Sequence, residues 1–305
     1  MEKLIFLKPF FSHTVWGGNR IRTDFGYDEP GDDIGECWGI SAHPAGDCII
    51  RNGEYEGKTL SWLYDNHREF FGNCPEQTFP LLVKIIDARE NLSVQVHPDD
   101  AYAFENENGA RGKTECWYII DCEENAELII GHNAGTRQEL KEMTENGRWD
   151  ELIRKVPVKR GDFIQIDSGT VHAVTAGCMI LETQQSSNIT YRLYDYDRKP
   201  ARSLHIAQSI DTITVPAKDI SESVFYADEK DDFIYRNNFY EVEVVRVDGI
   251  REIPGAEYFQ NISVIAGHGK INGEKVKKGD HIIASAGTGI QLEGSMKLVR
   301  STCSE

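Results

Sequence analysis

The sequence predicts an all-β protein, a sandwich or barrel with a few short helices. Two observations carry that prediction. Short segments rich in Val, Ile and aromatic residues recur along the chain, each closed by Gly, Asn or Asp, which is the pattern of many strands joined by turns. Only two long stretches place apolar residues at helical spacing.

The elements follow in chain order. The opening segment Met1-Glu-Lys-Leu-Ile-Phe-Leu-Lys-Pro-Phe-Phe is apolar but is interrupted by Lys8 and Pro9, so it does not read as a signal peptide. From Thr59 to Phe71, Leu60, Leu63, Tyr64, Phe70 and Phe71 predict a helix that stops at Gly72. Strands are expected over Leu81–Asp87 and Leu92–His97, with a short helix from Pro98-Asp99. Further strands are expected over Glu115–Ile120 and Glu127–Ile130. Thr136-Arg-Gln-Glu139 fits a capping box ahead of Leu140 and Met143, and Gly147 interrupts that helix before Trp149. Phe163–Ile166, Val171–Val174, Met179–Thr183 and Ile189–Tyr194 complete the first set of strands.

The charged stretch Ala227-Asp-Glu-Lys-Asp-Asp-Phe233 reads as a boundary. The expected organisation is a metal-binding catalytic domain over 1–226, with helical insertions, and a smaller C-terminal β-domain over 235–305 without a metal site. Strands there are expected over Tyr240–Val247, Phe259–Ala266, His281–Ala286 and Lys297–Val299. Lys277-Lys-Gly-Asp280 echoes Lys159-Arg-Gly-Asp162, each ahead of an apolar strand, which suggests two β-units of related build.

Composition narrows the function. The 305 residues carry 33 Lys and Arg against 50 Asp and Glu, a formal net charge of −17. Such a chain repels nucleic-acid backbones and anionic membranes, and an anionic substrate would need a local basic cluster. No apolar run is long enough to cross a bilayer. The seven cysteines are irregularly spaced and form no C-x-x-C pair, which argues against a disulfide framework and a thiolate zinc site. A reducing cytoplasm is the expected location, and the Asn91, Asn188 and Asn261 sequons then carry no weight.

Leu92-Ser-Val-Gln-Val-His97 alternates strictly, so Ser93, Gln95 and His97 share one face. A solvent-facing polar edge would give the same pattern. In Lys113-Thr-Glu115-Cys-Trp117 the three odd positions share a face. In the stretch from Arg160 to Ala173 a strand runs into a turn, and His172 opens the next strand. Two imidazoles, a carboxylate and an amide oxygen suit one divalent metal with an open position. A lone histidine is usually structural; here both sit beside turns with polar neighbours on their own face. Glu182 follows an apolar run, and Thr190, Arg192 and Tyr194 share a face. An Arg opposite a carboxylate is either a structural ion pair or a charge stabiliser.

These residues resemble a known family. Gly161-x5-Asp167-x4-His172 is similar to the second metal motif of cupins, and Gln95-x-His97 to the first, with Gln in place of the first His and the glutamate delayed to 115. Those departures resemble the type I mannose-6-phosphate isomerases. Trp16-Gly-Gly18, Pro80-Leu-Leu-Val-Lys84-Ile, Leu92-Ser-Val-Gln-Val-His-Pro98, Lys113-Thr-Glu115, Gly169-Thr-Val-His-Ala173 and the Glu182–Arg192 spacing agree in order. The resemblance implies a cupin barrel, one Zn2+ held by Gln95, His97, Glu115 and His172, and Arg192 as the catalytic arginine. It implies Lys113 and Glu182 in proton transfer or substrate binding, and Ser93 and Trp16 as substrate-pocket lining. The expected substrate is a sugar phosphate, with Arg192, Arg198, Arg202 and Lys84 as candidate phosphate contacts, and the expected state is a monomer, with a weak homodimer as the alternative. Two His and one Glu also form a facial iron triad, so a cupin oxygenase is one alternative. A non-enzymatic sugar-binding cupin is the other.

Overall fold

The structure, a computed structural model, describes residues 3–226 and 232–304. Most of the predicted charged boundary therefore lies outside the described residues. The chain forms two compact units. One comprises Met1–Thr14, Asn19–Ile86 and Asp228–Glu305; the other comprises Val15–Gly18 and Asp87–Ala227. The predicted all-β class holds, with antiparallel sheets and a few short helices.

The unit containing Asp87–Ala227 is built on two sets of antiparallel strands. In one, Ile153–Pro157, Glu127–His132, His172–Ala173, Val94–Val96 and Tyr191–Tyr194 lie side by side in that order. In the other the order is Val224–Phe225, Phe163–Ile166, Glu115–Asp121, Met179–Gln185. Val94, Val96, Ile129, Val171, Ala173 and Leu193 are buried in one apolar cluster with Leu140, Met143 and Leu152 from the helical segment. This is why the alternation in Leu92–His97 matters. Its apolar side builds a core, and its polar side is left for chemistry.

The helices start where the sequence places their caps. The Asp99 carboxylate accepts from the Tyr102 amide at 2.8 Å and opens Asp100–Asn106. Thr136 caps Arg137–Glu145 by accepting from the Glu139 amide at 3.1 Å, while the Glu139 carboxylate reaches back to the Gly135 amide at 2.7 Å. The box thus closes one residue earlier than its usual form. Gly147, with φ of 63°, separates this helix from Trp149–Leu152. The helix predicted over 59–71 is divided. Leu60–Asn66 ends at His67, and Arg68–Phe71 follows as one 3-10 turn closed by Gly72 with φ of 70°. Arg20–Phe25 and Ile206–Thr212 are helices the sequence reading did not contain.

In the other unit, Tyr240–Ile253 and Ile290–Cys303 pair along their whole length without a register shift. Gln260–Ile271, His281–Ala284, Leu4–Lys8 and Ile49–Ile50 continue the sheet. Leu4–Lys8 was not predicted as a strand; Leu4 and Phe6 join Val245, Ile262, Ile282 and Leu292 in the core.

The short sequence echo is a structural repeat. In Lys159–Asp162 the aspartate carboxylate accepts from the Lys159 amide at 2.9 Å, and Gly161 has φ of 94°. In Lys277–Asp280 the same bond, to the Lys277 amide, measures 2.8 Å and Gly279 has φ of 92°. The next turns match as well. Thr170 N–H donates to the Asp167 carbonyl and Thr288 N–H to the Ser285 carbonyl, both at 3.1 Å. Gly169 and Gly287 both take the left-handed backbone that a side chain would strain.

Candidate active site

His97, Glu115 and His172 converge, all buried, with ligand atoms within 4.8 Å of one another. Pairing explains the convergence. His172 stands opposite Gln95, and Gln95 stands opposite Arg192 on its other side. Residues directly opposite in antiparallel strands point to one face, so His172, Gln95 and Arg192 form a row across three strands. Glu115 opens its own strand and comes from the second set.

The insertion between His97 and Glu115 folds as the helix Asp100–Asn106 and returns, with the Lys113 amide donating to the Pro98 carbonyl at 3.0 Å. Gln185, also buried, pins the return. Its side-chain oxygen accepts from the Thr114 amide at 2.9 Å, and its amide donates to Asp100 at 3.1 Å.

Each imidazole is oriented by a backbone carbonyl. The Nδ1 of His97 is 2.7 Å from the Ile189 oxygen and that of His172 is 2.9 Å from the Thr170 oxygen. With Nδ1–H donated there, both Nε2 atoms present lone pairs, and they face each other across 3.1 Å. The Glu115 oxygens lie 3.5 Å from His97 Nε2 and 3.4 Å from His172 Nε2. Two lone pairs and a carboxylate aimed at one point, away from water, require positive charge there. Burial pushes the His172 imidazole down to about 4, which keeps it neutral and able to ligate. The donor set is two imidazole nitrogens and carboxylate oxygen, which fits a divalent metal of intermediate softness. Gln95 stands beside it with its amide nitrogen 3.3 Å from His172 Nε2, and Ser93 Oγ donates to the Gln95 oxygen at 3.4 Å. Ligation by Gln95 needs the amide turned over so that its oxygen faces the imidazoles.

Around the trio lies a charged relay. The buried Lys113 ammonium is 2.6 Å from Glu115 Oε2, 3.2 Å from His97 Nε2 and 3.8 Å from Glu182 Oε1. Trp117 Nε1–H donates to Glu182 Oε2 at 3.0 Å, and its ring packs edge-on to His172 at 5.5 Å. Trp117 was expected on the face of Lys113 and Glu115; its bond to Glu182 arises from cross-strand pairing, where the two residues are opposite.

Arg192 is half-buried. Its Nη1 donates to the Ser203 carbonyl at 3.2 Å, and its Nε has no partner among the described residues. Burial first, then Arg202, lower its guanidinium below the ordinary arginine value. Arg202 and Arg198 are both held by Asp195, at 2.6 and 3.4 Å. Lys84 lies in the other unit, 3.8 Å from Glu36. Trp16 is buried, with its carbonyl accepting from the Arg89 and Glu90 amides.

One expectation is corrected. Tyr194 does not share a face with Arg192. The register shifts between them, so Tyr194 pairs with Val94 and packs against the apolar cluster together with Leu193. A bulge of this kind turns the following side chain over.

Paired antiparallel sheets that bury a two-histidine, one-glutamate cluster define a cupin with a candidate metal cluster. Known proteins narrow the class. Residues 4–120 match the family model "Phosphomannose isomerase type I, catalytic domain" and residues 229–303 match "Mannose-6-phosphate isomerase, cupin domain". The chain is 47% identical to mannose-6-phosphate isomerase ManA of Bacillus subtilis, over 97% of this chain and 98% of that protein. It is 44% identical to mannose-6-phosphate isomerase of Streptococcus mutans over the full length of both. The crystal structure of mannose 6-phosphate isomerase from Bacillus subtilis superimposes with a TM-score of 0.90 at 42% identity, covering 99% of this chain and all of that one. The chain belongs to the type I phosphomannose isomerase family.

Proposed function

We propose that the protein interconverts mannose 6-phosphate and fructose 6-phosphate, using zinc held by His97, Glu115 and His172. Gln95 is the fourth ligand once its oxygen is turned inward. The observation that carries this reading is the set of lone pairs converging beside the Lys113–Glu182 pair, with Arg192 one strand away. Zinc, when bound, supplies a Lewis acid for the sugar oxygens.

The chain's own residues do the rest. Isomerisation of the open-chain sugar moves a proton from C2 to C1 through a cis-enediol. A base of the Lys113–Glu182 pair takes the C2 proton, and its conjugate acid returns a proton to C1. The balancing proton moves between the oxygens on C1 and C2. At 3.8 Å the ammonium and carboxylate attract each other without sharing a hydrogen, so either can exchange a proton with a sugar carbon placed beside them. Trp117 fixes one Glu182 oxygen and so aims the other. Arg192, whose Nε has no hydrogen-bond partner among the described residues, offers its charge to the oxygen on which the enediolate develops. Ser93 and Trp16 line the sugar pocket. The strands from residue 235 onward take no catalytic part.

The test is a coupled assay with mannose 6-phosphate on protein as purified, after chelation, and after zinc is restored. Turnover that disappears with chelator and returns with zinc is expected. Absence of turnover from fully metallated protein would overturn the reading.

A further inference from the structure

The backbone of Arg192 is held from residue 205. Its N–H donates to the Nδ1 of His205 at 3.2 Å, and its carbonyl accepts from the His205 N–H at 2.8 Å. A peptide N–H has one hydrogen, and here the imidazole takes it, so the ladder to Val94–Val96 receives none from Arg192. That ladder is weak at this point for two further reasons. Tyr191–Tyr194 is the last strand of its sheet, and the register breaks immediately after Arg192. The apolar cluster takes Tyr191 and Leu193 on either side, whereas Arg192 shares the face of Gln95 and His172. Two residues before His205, the Ser203 carbonyl accepts from Arg192 Nη1 at 3.2 Å. One short segment thus grips both the backbone and the guanidinium, and it leaves the buried Nε without a hydrogen-bond partner among the described residues.

His205 stands immediately before the helix Ile206–Thr212, where a side chain often accepts from the first helical amides. It makes no such bond; its acceptor is given to Arg192. Burial first, then the Arg192 charge, hold the imidazole below its ordinary value. At neutral pH it is therefore uncharged, with the proton on Nε2 and a lone pair on Nδ1. A charge at the end of a long side chain keeps its aim only while its Cα is fixed, and a misplacement of about 1 Å can cost about 100-fold in rate. We propose that His205 is a positioning residue for the isomerisation, which sets where the Arg192 guanidinium stands by holding the Arg192 amide. The proposal rests on the reading of Arg192 as the charge stabiliser.

Coupled assays of the zinc-loaded full-length protein with mannose 6-phosphate test it. His205→Ala should lower kcat by about tenfold or more with KM within about twofold. His205→Asn, whose side-chain oxygen reaches nearly as far as Nδ1, should bring kcat back to within about threefold of wild type. In an Arg192→Gln background, His205→Ala should change kcat by less than about twofold, because a residue that acts through Arg192 has nothing left to aim. Circular-dichroism melts check that each variant is folded. Should His205→Ala not fold, His205→Gln, closer in bulk and with its oxygen nearer the reach of Nε2, carries the same comparisons. A kcat for His205→Ala within about threefold of wild type, no recovery in His205→Asn, or an equal loss with and without Arg192 would overturn the proposal. If Arg192→Gln itself keeps a near-normal kcat, the reading of Arg192 fails and this proposal with it. If Arg192→Gln is slow and His205→Ala is not, only the role of His205 fails.

Discussion

Replacing Arg192 by Gln tests the charge-stabiliser role directly. The substitution keeps a polar, though shorter, side chain and removes the positive charge. Its backbone is held independently: the Arg192 amide donates to His205 Nδ1 at 3.2 Å and the Arg192 carbonyl accepts from the His205 amide at 2.8 Å. The folded state therefore loses one neutral-acceptor hydrogen bond, Nη1 to the Ser203 carbonyl, worth about 1 kcal/mol. The transition state loses much more. Removing one preorganised donor from a developing oxyanion costs about 2.7–4 kcal/mol, which is about 100–1,000-fold in kcat. The two magnitudes separate structural from chemical loss. In the coupled fructose 6-phosphate assay, kcat should fall about 100-fold or more while the melting temperature changes by only a few degrees. Arg192→Lys should recover part of the rate, because it restores charge without the planar fork. A kcat for Arg192→Gln within about threefold of wild type would refute the assignment.

Trp117→Phe removes the indole donor to Glu182, a bond to a charged acceptor worth about 1.5–3 kcal/mol. We expect kcat to fall about tenfold or more with KM within about twofold, and unchanged kcat would exclude Trp117 as a positioning residue. His281 governs acid stability in the other unit. Burial, then Arg51, push its imidazole down to about 3, and it sits between the Tyr27 hydroxyl at 3.0 Å and Ser263 Oγ at 2.8 Å. Below its ordinary value of 6.5 the unfolded chain binds a proton that the folded chain refuses. Stability from this group is therefore complete above that value and is lost towards pH 3, at about 1.4 kcal/mol per pH unit. Urea titrations between neutral pH and pH 5 should show that extra slope in wild type and not in His281→Gln; equal slopes would refute it. Gly39→Ala places a Cβ 2.2 Å from the same imidazole and should cost about 1–3 kcal/mol or more in a denaturant melt, where a neutral result would mean the ring can move.

The residues that carry the site were legible because each had a local signature. His97 was marked by period-two polarity beside Ser93 and Gln95, and His172 by the Gly-Thr turn before it. Lys113 and Glu115 were two apart at the opening of a strand, and the structure brings all of them together. The caps at Thr136 and Asp99 were legible for the same reason, since a cap is a contact between near neighbours. What the chain order hid was non-local. Trp117 reaches Glu182 only because two strands pair, and Tyr194 leaves the face of Arg192 only because of a bulge. Leu4–Lys8 looked like an isolated apolar stretch, because its strand partner, His281–Ala284, lies almost a chain length away.

The repeated turn shows how little of this scaffold is chemistry. In the first copy the eleventh residue after the turn glycine is His172, which opens its strand; in the second copy the eleventh residue after Gly279 is Ile290, which also opens its strand. One position thus holds a candidate ligand in one unit and a core hydrocarbon, 2% exposed, in the other. The backbone between is indifferent to the outcome, since its glycines and aspartates make the same bonds either way. The loop is a carrier that presents one side chain to the interior. Whether that interior can gather an ion or is simply filled depends on this side chain together with the partners that His97 and Glu115 supply in one copy, and the filled copy buries an isoleucine side chain worth about 1.5–3 kcal/mol.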